Sequence, residues 1–151
     1  MYDTFDTVLV GQTTYYEMAA YWPGVETDAG GSDINKSMAR KMNTYKKYVF
    51  TRASEPLEWS NVELVRADGD DAVVAFVEEL KARPGGDIHL SGGAQFARTL
   101  IRLGLVDRYR LFVYPVVSAG ARWFDEIGEQ RELELESATA YSNGVVGLYY
   151  I

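Results

Sequence analysis

Twice in this chain a short apolar run breaks on glycine and passes straight into a helix start. Val10-Gly11-Gln12-Thr13-Thr14-Tyr15 follows the β-branched run Thr7-Val8-Leu9-Val10, and Leu90-Ser91-Gly92-Gly93-Ala94-Gln95-Phe96 follows Ile88-His89-Leu90. A strand that is apolar on successive residues is buried on both faces, the habit of parallel sheets covered by helices. Parallel neighbours need crossover connections, so the two junctions commit the chain to βα units. They also set where a ligand would collect. In such sheets that place is the carboxyl ends of the strands, against helix starts whose first N–H groups lack partners.

The rest of the sequence extends this pattern. Thr13 or Thr14 is positioned to cap a helix running to about Ala20, stopped by Trp22-Pro23-Gly24. Ser32 is positioned to cap a second helix with Ile34, Met38 and Met42 on one face. Tyr48-Val49-Phe50 and Val62-Glu63-Leu64-Val65 read as strands. Asp68-Gly69-Asp70-Asp71 turns into a helix that buries Val73, Phe76, Val77 and Leu80 and ends at Pro84-Gly85-Gly86. The helix holding Phe96, Ala97, Leu100 and Ile101 stops at Gly104, a natural left-handed cap. Tyr109 to Val117 then reads as a long strand, Leu133-Glu134-Leu135-Glu136 alternates, and Ser142-Asn143-Gly144 marks a hairpin into Val145–Ile151. The expected fold is α/β, with a mostly parallel mixed sheet, helices on both faces (three-layer αβα) and an antiparallel C-terminal hairpin.

Composition limits the function. At 151 residues and 47% hydrophobic, the chain suits a single domain spanning 1–151 that buries about 70% of its unfolded surface. A net charge of −7 disfavours general nucleic-acid binding, which needs a cationic face. With no cysteine and one histidine, thiolate chemistry and Cys- or multi-His metal sites are excluded. No apolar run reaches the roughly 20 residues of a membrane helix, and the first residues lack a signal peptide's basic start, so a cytoplasmic protein is expected.

At both glycine junctions, bare helix-start amides suit a phosphate, and glycine lets backbone approach it closely; a purely structural turn is the plainer alternative. Phe50-Thr51-Arg52-Ala53 puts an arginine just past a strand end, where it suits a 2′-phosphate or an adenine face, or simply sits in solvent. His89, mid-strand, reads as a packed histidine. The tyrosines of the C-terminal strands suit a β surface or a subunit contact. The Trp22 and Trp123 loops either wall a pocket or cover the core.

The segment Val8-Leu9-Val10-Gly11-Gln12-Thr13-Thr14-Tyr15-Tyr16-Glu17, with Tyr21-Trp22-Pro23, resembles the "LLGRxTYExxxxYWP" stretch of the dihydrofolate-reductase-like superfamily. Lys47 to Arg52 is similar to the "KYVxSR" strand of one branch, the reductase domain of bifunctional riboflavin biosynthesis proteins and its stand-alone relatives. Asp87 to Asp107 is similar to that branch's "DIxxxGGAxLAxxLLxxGLVDE". The resemblance implies an NADPH-dependent reductase, transferring hydride to a small pteridine or pyrimidine-type molecule, such as a phosphoribosylamino-uracil or dihydrofolate. It implies that Gly11, Gln12, Thr13 and Thr14, with Ser91, Gly92, Gly93, Ala94, Gln95 and Phe96, hold the pyrophosphate and nearby ribose. Thr51, Arg52 and Ala53 would face the 2′-phosphate, and Gly92-Gly93 would take the cis peptide common in the family. With it goes an expected homodimer, and charge, apolar-run length and the Cys and His content leave no nucleic acid, membrane or metal expected.

Three departures accompany the resemblance. Gln12 stands where the family has arginine. The family's glycine-rich loop after "PVV" is thinned to Ser118-Ala119-Gly120-Ala121-Arg122-Trp123-Phe124. The sequence also starts where the family's second strand would begin, so the first strand is expected to be missing or supplied by another segment or protomer. No catalytic acid is assigned. The alternative function is an inactive nucleotide-binding or dimeric assembly module on the same scaffold.

Overall fold

The computed structural model describes residues 4–52, 58–120, 124 and 127–151, and the chain divides into two compact units, Met1–Ala97 and Arg98–Ile151. The first unit runs β1 (Phe5–Gly11), α1 (Gln12–Thr27), α2 (Asp33–Thr44), β2 (Lys46–Phe50), β3 (Val62–Val65), α3 (Asp70–Lys81), β4 (Asp87–Leu90) and the start of α4 (Ala94–Arg102). Its four strands are all parallel, in the order β3-β2-β1-β4.

β1 lies inside the sheet, and Val8, Leu9 and Val10 are buried, as an unbroken apolar run requires. Register assigns the faces. Val8 pairs with Lys47 and Val10 with Val49, while Leu9 pairs with Tyr48 between them. The first face packs on α1 and α2 in a core of Phe5, Val8, Val10, Tyr15, Met18, Met42, Val49 and Trp59. On the other face Tyr48 and Phe50 meet Phe76 of α3 edge-on at 5.3 and 5.5 Å, and Phe50 meets Phe96 of α4 at 4.5 Å. Helices therefore cover both faces, the layering read from the sequence. Phe5 shares a face with Val8, three residues on, because the pairing with β4 is irregular between Phe5 and Thr7.

Several local expectations change. α1 does not stop at Trp22-Pro23 but continues to Thr27 with Pro23 inside it. A proline interior to a helix forfeits one backbone bond, and here Tyr15, Met18, Ala19 and Trp22 hold the helix to the core on the preceding turns. Neither threonine caps α1; Gly11 is its N-cap, without a side-chain bond. Ser32 does cap α2, accepting from the Asn35 N–H, and Met42 is buried, but Ile34 is 81% exposed, at the first turn beyond the core's reach.

Tyr15 ties this layer to the approach to β3: its buried hydroxyl accepts from the Trp59 N–H at 3.1 Å. Tyr15→Phe strands that N–H, so a loss of about 1–3 kcal/mol is expected from urea denaturation. An unchanged midpoint would mean that Trp59 finds another acceptor.

In the second unit α4 closes as expected. Gly104 adopts φ +74, and Leu105 N–H bonds back to Leu100 O, the bond pattern of a left-handed helix end. Arg131 then donates to the carbonyls of Ile101 and Arg102, serving the helix's orphan acceptors. β5 (Tyr109–Val113), β6 (Leu135–Ala140) and β7 (Val146–Tyr150) form an antiparallel sheet in the order β5-β7-β6. The β6–β7 turn is the one read from Ser142-Asn143-Gly144, with Gly144 at φ +84 and Tyr141 N–H bonded to Val145 O. The mixed pairing is thus realised as two sheets, one parallel and one antiparallel. β5 ends at Val113 rather than Val117, because Pro115 has no N–H to offer a ladder.

Candidate functional site

The two glycine junctions touch. Gly11 N–H donates to Gly92 O at 3.2 Å, Ser91 N–H to Leu9 O at 3.0 Å, and Gly93 N–H to the Thr14 hydroxyl at 2.9 Å. Thr14 is therefore a cross-link between the junctions rather than a cap of its own helix. Gly92 sits at φ +98, where any side chain is strained, and a Cβ there would meet nothing within 4 Å. That left-handed turn reverses the chain between two trans peptides, so the expected cis Gly92-Gly93 bond is not found. Gly11 and Gly93 are glycine for contact: an added Cβ would lie 3.3 Å from Phe96 Cβ and 3.2 Å from Thr14 Oγ1 respectively.

Helix starts in the first unit fall into two kinds. α2 and α3 begin with acids (Asp33; Asp70 and Asp71), and α2 is also capped by Ser32. α1 and α4, the two that meet, have no acid in the first turn, and α1 has no side-chain cap. Their positive dipole ends, with no acid in either first turn, lie side by side at the carboxyl edge of the sheet. This arrangement, open beside Gly92, fits an anionic diphosphate.

Other expected residues are placed as follows. Ser91 turns its hydroxyl onto Met18 Sδ at 3.4 Å, so its side chain joins the packing. Thr13, Ala94 and Gln95 are exposed at the helix starts, and Phe96 packs between Gly11 and Phe50. Thr51 donates its hydroxyl to Gln12 Oε1 at 2.5 Å, joining the end of β2 to the start of α1. Arg52 is 90% exposed and lies 3.9 Å from Asp68, itself 91% exposed. Ala53 and Trp123 lie outside the described residues. His89 stacks on Phe5 at 4.5 Å, a packed histidine.

Sequence reasoning missed two groups. Asp68 was readable only as a turn residue; the signal was its place just past β3, beside the strand that delivers Arg52. Lys47 is fully buried, its ammonium donating to the carbonyls of Tyr45 at 2.8 Å, Ser60 at 3.0 Å and Asn43 at 3.4 Å. It lies over the Trp59 ring at 4.2 Å, and burial pushes its pKa down to about 8. Paired with Val8, it belongs to the core layer and not to the glycine edge. Among the described residues no cluster of His, Cys, Asp or Glu could hold a metal, and no helix is long and apolar enough to cross a membrane.

Comparison with known proteins agrees with this architecture. The RibD C-terminal domain family matches residues 1–147. The uncharacterized Bacillus subtilis (strain 168) protein YyaP is 32% identical over 146 residues, 96% of this chain and 73% of its own. YwjB of the same organism is 24% identical, over 99% of this chain and 75% of its own. Among solved structures, a protein named for riboflavin biosynthesis from Shewanella sp. PV-4 superposes with TM-score 0.70 at 14% identity, over 99% of this chain and 75% of that one. A pyrimidine reductase-like protein from Corynebacterium diphtheriae gives TM-score 0.61 at 17% identity, over 97% and 75%. With paired glycine corners on a dihydrofolate-reductase-like α/β fold and a family match across nearly its whole length, this chain belongs to the RibD C-terminal domain family.

Proposed function

We propose that the chain is a reductase that binds a nicotinamide dinucleotide, NADPH in the first instance, and reduces a small pteridine or pyrimidine-type molecule. The observation carrying this reading is the meeting of α1 and α4, the two helix starts without first-turn acids, across Gly11, Gly92 and Gly93. Family membership supports reductase chemistry, and the names of the Shewanella and Corynebacterium proteins support a pyrimidine-type substrate. The first-turn amides of α1 and α4 would hold the diphosphate, with the exposed Thr13 hydroxyl beside them. Thr14 keeps the two junctions in register. Bound there, the dinucleotide supplies the hydride; the protein supplies orientation and a fixed polar cradle.

The test is binding first and turnover second. Ligand that binds only the folded state at about a hundred times its Kd stabilises by about 2.7 kcal/mol, a shift of several degrees in Tm. Millimolar NADPH is expected to raise the melting temperature by that order. Loss of reduced-nicotinamide absorbance with aminopyrimidine or dihydropterin substrates is then expected. An unmoved Tm would overturn the reading, whereas binding without oxidation across such a panel would favour the inactive module.

A further inference from the structure

The antiparallel sheet of the second unit has one wholly apolar face that is open. Cross-strand register sets that face out in rows. Leu111, Leu148 and Ala138 stand side by side, and Val113, Val146 and Ala140 form the next row. None of the six is buried; Val113 is 55% exposed, and both alanines are exposed. The opposite face carries Arg110, Ser137 and Thr139, and there the rings of Phe112, Tyr141 and Tyr149 close over Gly147. An antiparallel sheet with one polar and one apolar face packs the apolar one against something. A large apolar patch left in water marks a contact surface.

We propose that this face binds the same face of a second copy, about a twofold axis lying between the two sheets and parallel to their strands. Charge favours this occupant. Copies with a net charge of −7 repel one another, but neither row holds a charged side chain that would meet its own image. Shape favours it too. The face is bulky at β5 (Leu111, Val113) and hollow at β6 (Ala138, Ala140), and this axis lays each copy's β5 over the other's β6. Leu111 then stands over Ala138 and Val113 over Ala140, a large-on-small fit suited to the roughly 10 Å spacing of packed sheets. With Leu133 exposed just before β6, and Val116 and Val117 exposed just past β5, the apolar surface is on the order of 800 Å², what each partner brings to a stable interface. Pairing along the free edge of β6 is the poorer route, because a bulge between Leu135 and Ser137 breaks that edge at Glu136.

Sedimentation of the intact chain at about 10 µM is expected to show a dimer and nothing larger, since a twofold contact closes on itself. Ala138→Glu sets a carboxylate on an exposed position, where the single chain tolerates it and the paired face does not. It is expected to raise the dimer Kd by about a hundredfold or more. Thr139→Glu, one residue on and facing the other way, is expected to leave the Kd within about threefold of wild type. The axis has its own test. Within one chain Leu111 and Ala138 are two strands apart, about 10 Å, with Leu148 between them. Ala138→Leu alone is expected to crowd the contact and weaken the dimer about tenfold. Adding Leu111→Ala should bring it back to within about threefold of wild type, a rescue that only a second copy supplies. A monomer at about 10 µM, or an assembly that keeps growing, overturns the proposal. So does a dimer indifferent to Ala138→Glu, or one that Thr139→Glu dissociates equally. A double variant that does not recover overturns the axis assigned here. None of these readouts involves a dinucleotide, so the proposal stands or falls apart from the reductase reading.

Discussion

Gly93→Val is expected to remove dinucleotide binding while leaving the chain folded. Gly93 takes a backbone conformation open to any residue, so the substitution introduces crowding and not backbone strain. Its new Cβ would lie 3.2 Å from Thr14 Oγ1, the atom that accepts the Gly93 N–H, and the two γ-methyls would reach further into the same space. Thr14 must swing away or α4 must back off, and either movement separates the helix starts that form the cradle. Affinity is expected to fall by about a hundredfold or more, about 2.7 kcal/mol. Crowding a packed position costs about 1–3 kcal/mol of stability, within the range a folded domain tolerates. Gly92→Ala provides the contrast. A Cβ at Gly92 meets no protein atom, so its cost to stability comes from φ +98, and any loss of affinity comes from the methyl standing in the open space beside the turn. Affinity within about threefold of wild type in Gly93→Val, measured by calorimetry on protein with a native circular dichroism spectrum, would remove the cradle from the account.

The parallel half of the fold was legible because its signals are local and redundant. The apolar run Thr7–Val10 has one interpretation when followed by glycine and a helix start, and register then decides which of its side chains face which layer. Positive-φ positions at Gly104 and Gly144 were readable for the same reason: few residues besides glycine adopt that backbone. What resisted reading was set by tertiary context. Pro23 looked like a stop, yet packing carries α1 past it. Thr14 looked like a cap because capping is a local habit; its actual partner is a backbone N–H from residue 93, invisible to any window on the sequence. The pairing of Arg52 with Asp68 likewise depends on β2 and β3 being neighbours. The two glycine junctions that meet were legible from the sequence, while the charges beside them needed the fold.

Lys47 is where the largest loss of stability is expected. The register with Val8 turns this lysine inward, between the end of α2 and the segment leading to β3. There it donates to three carbonyls and rests on the Trp59 indole, whose Nε1–H bonds Asn43 Oδ1. Lys47→Ala would leave those buried carbonyls without their donor and open a cavity, so a loss of about 3–5 kcal/mol is expected from denaturant unfolding. Lys47→Met fills the space but offers no donor, and should fall between Ala and wild type. The charge adds a pH signature. The ammonium titrates near 10.5 when free and near 8 when folded, because burial disfavours the charged form. Below pH 8 both states hold the proton, and the wild type carries the full desolvation cost. Between pH 8 and 10.5 the unfolded chain binds the proton that the folded chain has released, so stability rises with pH. Measured against Lys47→Met, which differs from it in this one group, the wild type should gain about 1 kcal/mol per pH unit through that window and nothing below it. A difference that stays flat to pH 10 would mean that the carbonyl cage and the indole hold the proton as firmly as water does, and that Lys47 keeps β2 and α2 together as a cation throughout.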